Sequence, residues 1–143
     1  MNVFACHSSS ASRYYLNTPA RYSIMDSTDI FVNGSAENVR QAVLKAFEYN
    51  QFKVQWQTET SGVASKGSKG KNLALGALAQ YYEIGFQIIT TPDASLALRL
   101  TKTNSGWAGG ALGAHKVKKQ YEDLINGLSS YFQAQGIFKG KTP

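Results

Sequence analysis

Residues 84–100 read IGFQIITTPDASLALRL, and this stretch decides the fold class. Apolar side chains alternate with other side chains in two runs, first Ile84, Phe86 and Ile88, then Leu96, Leu98 and Leu100. A period of two is typical of a strand that buries one face. Pro92 and Asp93 lie between the runs and favour a turn. The stretch therefore predicts a β-hairpin.

The residues before this hairpin predict three strands and a helix. Residues 30–32 and the alternating residues 52–56 have strand patterns, and residues 62–66 (GVASK) could return as a third strand. Ser35 is a good helix N-cap. Apolar side chains then follow the 3.6-residue period at Ala36, Val39, Val43, Ala46 and Phe47. This pattern predicts an amphipathic helix that packs by one face.

A second, longer helix is predicted after the hairpin. Its apolar face consists of Val117, Tyr121, Leu124, Leu128, Tyr131 and Phe132, and Gly136 should end it. The order strand, helix, four strands, helix predicts a two-layer α+β domain, in which both helices cover one face of an antiparallel sheet. This order resembles the TATA-binding-protein-like fold and, less closely, the helix-grip fold of lipid-transfer and plant allergen proteins. Both resemblances concern the fold alone.

The length of 143 residues and a hydrophobic content of 43% suit one hydrophobic core. Residues 1–26 have neither a helical nor a strand period and are predicted to form a loose N-terminal arm. We expect a single domain over residues 27–136 and a short basic tail over residues 137–143.

The sequence predicts a cytoplasmic protein. The lone Cys6 excludes a disulfide within the chain, so nothing requires an oxidising compartment. No apolar run approaches the roughly 20 residues of a membrane helix, and the first residues do not have a signal-peptide pattern. The alternative is a lipid anchor, because residues 3–6 and the serines that follow would suit a lipoprotein if the true start lay upstream of Cys6.

The net charge of +6 arises entirely between Lys66 and Lys119, where eight basic residues face two acidic ones. Two glycine-rich and lysine-rich segments, GSKGKN at 67–72 and GWAGGALGAHKVKK at 106–119, lie in this region. Glycines let backbone N–H groups approach an anion that lysines neutralise, and an anion would also offset the macrodipole that disfavours lysines at a helix start. The predicted partner-binding residues are Lys66, Lys69, Lys71, Trp107, Lys116, Lys118 and Lys119. The alternative interpretation is a solubilising surface.

Residues that could support catalysis are scarce. His7 lies in the predicted arm, and His115 opens the second helix among lysines, where we expect a solvated residue. With one cysteine and no pair of histidine or acidic ligands at helix spacing, a zinc site is not expected. The segment 67–72 also lacks the Walker A spacing. The sequence predicts no enzyme, no metal site and no cofactor.

The segments SKGSKGKNLALGALAQYYEIGF at 65–86 and TKTNSGWAGGALGAHKVKKQYEDL at 101–124 resemble a small, uncharacterised bacterial domain family. The resemblance covers about residues 28–135. It implies a single domain, and the family has no assigned activity, so no catalytic residue is carried over.

These observations favour a noncatalytic binding or adaptor domain whose basic surface meets an anionic partner, either a membrane surface or an acidic protein. The alternative is a carrier of a small apolar ligand, with a cavity lined by Phe86, Leu98, Tyr121 and Leu128 between the long helix and the sheet. Binding of single-stranded nucleic acid ranks lower, because the exposed strand faces contain few aromatic side chains. The polar side chains expected there are Lys53, Gln55, Gln57, Arg99 and Thr101. Self-association through the sheet is also open.

Overall fold

The computed structural model describes residues 27–67, 81–102 and 110–143. The predicted arm of residues 1–26 lies outside the described residues, as do Lys69, Lys71 and Trp107.

The described residues form an α+β fold, as predicted. Its elements are β1 (Ser27–Val32), α1 (Ala36–Tyr49), β2 (Lys53–Trp56), β3 (Ser61–Lys66), β4 (Tyr82–Thr90), β5 (Leu96–Lys102), α2 (Gly110–Ala134) and β6 (Phe138–Lys141). Within these residues, the six strands form one antiparallel sheet in the order β2-β3-β4-β5-β1-β6. The finer comparisons with TATA-binding-protein-like and helix-grip folds remain predictions.

The predicted hairpin is confirmed by β4 and β5, which pair from Ile84 opposite Lys102 to Thr90 opposite Leu96. The alternating apolar side chains of both strands face the two helices, and they are buried at Ile84, Phe86, Ile88, Leu98 and Leu100. The helices contribute Val39, Val43, Ala46, Phe47, Tyr121, Leu124, Leu128 and Phe132 to the same core. One face of the sheet therefore holds the hydrophobic core.

The predicted start of α1 and end of α2 are also confirmed, whereas α2 begins at Gly110, five residues before the predicted start at His115. The Oγ atom of Ser35 accepts a hydrogen bond from the Asn38 backbone N–H at 3.3 Å, which caps the start of α1. Gly136, two residues after the last residue of α2, has a φ of +71°, a conformation that glycine adopts without a Cβ clash. Ala36 is the exception in the predicted apolar face of α1, since it lies exposed in the first turn.

The prediction of a basic tail over residues 137–143 is wrong, because this segment contains β6. Phe138 pairs opposite Val32 and Lys141 opposite Ile30. Beyond the strand, Thr142 exchanges two hydrogen bonds of 2.9 Å with the backbone of Asp29. The physical reason is the outer edge of β1, whose unpaired backbone groups β6 satisfies when the chain returns from α2.

The strand register places the ends of several strands at the same end of the sheet. Lys66 at the end of β3 lies opposite Tyr82 at the start of β4, and Thr101 near the end of β5 lies opposite Ser27 at the start of β1. The first buried residue of α2 among those with described side chains is Tyr121, which contacts β5 at Leu100. The N-terminal part of α2 therefore lies at this same end of the sheet.

Candidate anion-binding groove

A groove of about 400 Å³ opens at this end of the sheet, between α2 and the strands β5, β1 and β6. Among the described residues, the lysines that line it are Lys102 of β5, Lys118 of α2 and Lys141 of β6. We call this feature the basic groove. Its lysines are far apart in sequence and come from three different elements, so the fold itself brings them together.

Lys102 is positioned by the alternation of β5 and by an aromatic ring. It has the same parity as Leu98 and Leu100, so its side chain lies on the face that the helices cover. Its Nζ atom lies 4.7 Å from the ring centroid of Tyr121, within the range of a cation–π interaction. The Tyr121 hydroxyl donates a hydrogen bond of 3.1 Å to the Leu100 carbonyl oxygen. The hydrogen bond therefore orients the Tyr121 ring, and Lys102 packs against the face of that ring.

Lys118 lies on the face of α2 that borders the groove. Residues three and four positions apart share one side of a helix, so Tyr121, Glu122 and Ile125 follow Lys118 along this face. The Lys118 Nζ atom is 3.9 Å from Glu122 Oε1, and the two side chains are 70% and 57% exposed. Such an exposed pair contributes little energy, so Glu122 holds Lys118 only weakly.

Lys141 enters the groove from β6. Its Nζ atom donates a hydrogen bond of 2.9 Å to Asn126 Oδ1 on α2. Asn126 lies eight residues after Lys118, which corresponds to about 12 Å along the helix. Lys141 therefore marks the opposite end of the groove from Lys118.

The wall between these lysines is partly apolar, since it includes the Tyr121 ring and Ile125, which is 8% exposed. Among the described side chains that line the groove, Glu122 is the acidic one. The arrangement suits an anionic ligand that also has a carbon portion.

The structure describes four of the predicted partner-binding residues, and these do not all lie in the groove. Lys118 lies in the groove, whereas Lys116 and Lys119 are exposed and do not line it. The Nζ atom of Lys66 lies 3.4 Å from the Asn50 carbonyl oxygen and 5.5 Å from the Phe52 ring centroid. Lys66 therefore points toward the end of α1 and does not line the groove. His115 is exposed, as predicted for a solvated residue.

Lys102 and Lys141 are not among the partner-binding residues that the sequence predicts. A signal existed for Lys102, since it continues the alternation Leu96, Leu98, Leu100 at the end of a strand. Lys141 has no comparable signal, because its strand has four residues and no clear alternation of apolar side chains.

All four residues proposed to line an apolar cavity belong to the core cluster. Phe86, Leu98 and Leu128 are at most 3% exposed and pack in the central cluster. Tyr121 is the member of that set that lines the groove. The carrier hypothesis remains a prediction.

The open face of the sheet offers less free positive charge than the sequence suggests. Arg99 donates two hydrogen bonds to the carboxylate of Asp29, at 2.8 and 2.7 Å. This partner raises the pKa of Arg99 above its ordinary value. Lys53 and Gln55 of β2 are exposed at the sheet edge.

In residues 27–67, 81–102 and 110–143, no three His, Cys, Asp or Glu side chains cluster closely enough to hold a metal ion. Neither helix in these ranges combines the length and apolarity needed to cross a membrane.

The chain matches no protein-family model, and no curated protein is significantly similar to it. The resemblance to a small bacterial domain family remains a prediction.

Proposed function

We propose that this chain is a noncatalytic binding domain whose basic groove holds an anionic group of its partner, and that the partner is an anionic membrane surface. The observation that carries the proposal is the meeting of Lys102, Lys118 and Lys141 in one groove. These side chains belong to a strand, a helix and a second strand that the fold brings together.

The described lysines of the basic groove bring positive charges into one site. Ammonium groups that share a groove repel one another, and the long, exposed pair between Lys118 and Glu122 offsets this repulsion only weakly. An anion between them would lower the energy of the arrangement. A lipid surface presents many such anions, and basic residues near it are attracted by about 1 kcal/mol each.

Co-sedimentation with vesicles tests the proposal. We expect the protein to bind phosphatidylcholine vesicles that contain phosphatidylglycerol but not pure phosphatidylcholine vesicles. Binding should weaken between about 50 mM and about 500 mM salt, since salt screens exposed charges. The substitution Lys118→Gln should weaken binding by about fivefold, which corresponds to about 1 kcal/mol.

Lys116→Gln is the matched control, because it removes the same charge from the same helix at an exposed position outside the groove. We expect a clearly smaller loss of binding than for Lys118→Gln. Equal losses would show that total charge acts and the groove does not. Absent or salt-insensitive binding would reject the proposal, and tighter binding to a single-stranded oligonucleotide or an acidic peptide would replace the membrane as partner.

A further inference from the structure

We infer that Asn33 is a site of spontaneous deamidation in the folded protein, and that the isoaspartyl product destabilises the connection between β1 and α1. The sequence contains two Asn-Gly pairs, at Asn33 and Gly34 and at Asn126 and Gly127, and the fold places them in opposite environments. Neither Asn33 nor Gly34 lines the basic groove, so the modification is independent of the proposed function.

Deamidation requires the backbone nitrogen that follows the asparagine. This nitrogen loses its proton and attacks the side-chain Cγ atom, a C–N bond forms, and the side-chain nitrogen leaves with a proton as ammonia. The resulting succinimide ring then takes up one water molecule. Opening at one carbonyl group gives aspartate, and opening at the other gives isoaspartate, whose main chain runs through Cγ. A following glycine favours ring closure because it has no Cβ atom to obstruct the attack.

The first Asn-Gly pair lies in the connection between β1, which ends at Val32, and α1, which begins at Ala36. Asn33 and Gly34 are both exposed, so water and hydroxide reach the reacting groups. Gly34 has a φ of +135°, a conformation that residues with a Cβ atom rarely adopt. The turn into α1 therefore requires the same glycine that makes the preceding asparagine reactive.

The second Asn-Gly pair lies inside α2, where the Gly127 backbone N–H donates a hydrogen bond to the carbonyl group four residues earlier. This bond holds the proton that the reaction must remove. The Asn126 Oδ1 atom also accepts a hydrogen bond of 2.9 Å from Lys141 Nζ. Because the helix must open locally before the Gly127 nitrogen can react, the fold protects Asn126.

An isoaspartyl linkage at position 33 lengthens a short connection that is held on both sides. The Asn33 backbone N–H donates a hydrogen bond of 2.8 Å to the Ile137 carbonyl oxygen, just before β6. Two residues later, the Ser35 Oγ atom caps α1. The extra methylene group in the main chain shifts these two contacts relative to each other. The aspartyl product keeps the normal main chain and adds a negative charge near the start of α1, which the helix dipole favours.

Peptide mapping of the full chain tests the inference, because trypsin places Asn33 on residues 22–40 and Asn126 on residues 120–139. The folded protein is incubated at mildly alkaline pH before digestion. We expect the first peptide to gain the mass of deamidation at least about tenfold faster than the second. The rate at Asn33 should rise with pH, since the backbone nitrogen must lose its proton. In urea the two rates should become similar, because the helix no longer protects the second site.

Two substitutions serve as controls for the site. Asn33→Gln should abolish the mass gain of the first peptide, because glutamine forms the larger ring far more slowly, and this result separates Asn33 from Asn38 on the same peptide. Asn126→Gln should leave the rate of the first peptide unchanged.

The isoaspartyl protein, separated from the aspartyl form by chromatography, tests the effect on the connection. We expect it to unfold at a lower urea concentration than Asn33→Asp, which has the same charge and a normal main chain. Equal rates for the two peptides of the folded protein, faster reaction at Asn126, or no mass gain at Asn33 would overturn the assignment of the site. An isoaspartyl form as stable as Asn33→Asp would overturn the effect on the connection.

Discussion

Asp93, in the turn between β4 and β5, shows how local hydroxyl groups set the chemistry of one residue. Its carboxylate accepts hydrogen bonds from the hydroxyl of Thr91 and, at 2.9 Å, from that of Ser95. These bonds lower its pKa from 3.8 to about 2, with Thr91 as the largest cause and Lys139 as a minor one. The bonds favour the charged form, because a carboxylate accepts them better than a neutral acid does.

This shift predicts a pH dependence with a defined sign. Because the pKa of Asp93 is lower in the folded protein, its stabilising contribution is present above pH 3.8 and is lost as the pH falls toward about 2. We expect Thr91→Val to raise the pKa of Asp93 toward 3.8, which carboxyl carbon resonances measured against pH would show. In Asp93→Asn, the corresponding part of the pH dependence of unfolding should disappear. A Thr91→Val protein in which Asp93 still titrates near 2 would contradict this explanation.

The two helices meet where α2 has a glycine. A Cβ atom at Gly127 would overlap with the side-chain amide of Asn50, at the end of α1. That amide is fixed, since its Nδ2 atom donates a hydrogen bond of 2.8 Å to the Ala46 carbonyl oxygen. Beside it, the rings of Tyr49 and Tyr131 lie 5.8 Å apart. The absence of a side chain at Gly127 therefore allows this close approach of the two helices.

Gly127→Ala should consequently act against the usual preference of helices. Alanine is favoured over glycine inside a helix by about 1 kcal/mol. Here the new methyl group must displace Asn50 and break its hydrogen bond, so we expect a net destabilisation of about 1 kcal/mol. In an Asn50→Ala background the obstacle is gone, and the same substitution should stabilise the protein by up to about 1 kcal/mol. Urea unfolding of the four proteins measures this cycle, and an effect of equal sign in both backgrounds would refute the clash.

Most elements could be predicted from the sequence because their signals are local. The alternation in residues 84–100 and the cap at Ser35 depend on near neighbours alone, and both are confirmed. The strand β6 was missed because FKGK has two lysines, one glycine and one large apolar side chain. Its strand conformation depends on the available edge of β1, which no local pattern records.

The basic groove could be predicted only in part, for a related reason. The run of lysines at the start of a helix predicts Lys118 as a partner-binding residue, and Lys118 lines the groove. Lys102 and Lys141 lie in the groove because the strand order is β5-β1-β6 and because α2 passes over this end of the sheet. Composition gave the sign of the charge, whereas the tertiary fold selected the side chains that share a site.

At the scale of the whole molecule, the first and last described elements lie side by side. β6 pairs with β1 at the edge of the sheet, and Ile137 and Phe138 pack against the core. The same strand brings Lys141 into the basic groove. Completion of the sheet and formation of the groove are therefore linked.

A chain that ends after Gly136 tests whether this last segment is a structural strand or a tail. It lacks the pairing with β1, the packing of Ile137 and Phe138, and the two hydrogen bonds between Thr142 and Asp29. We expect the free energy of unfolding to fall by about 3 kcal/mol, from lost apolar burial and hydrogen bonds. The double substitution Lys139→Gln and Lys141→Gln removes two charges but keeps the strand, so it should cost less than about 1 kcal/mol. If denaturant unfolding shows the truncated protein to be as stable as this control, the segment adds charge alone and β6 does not hold the sheet together.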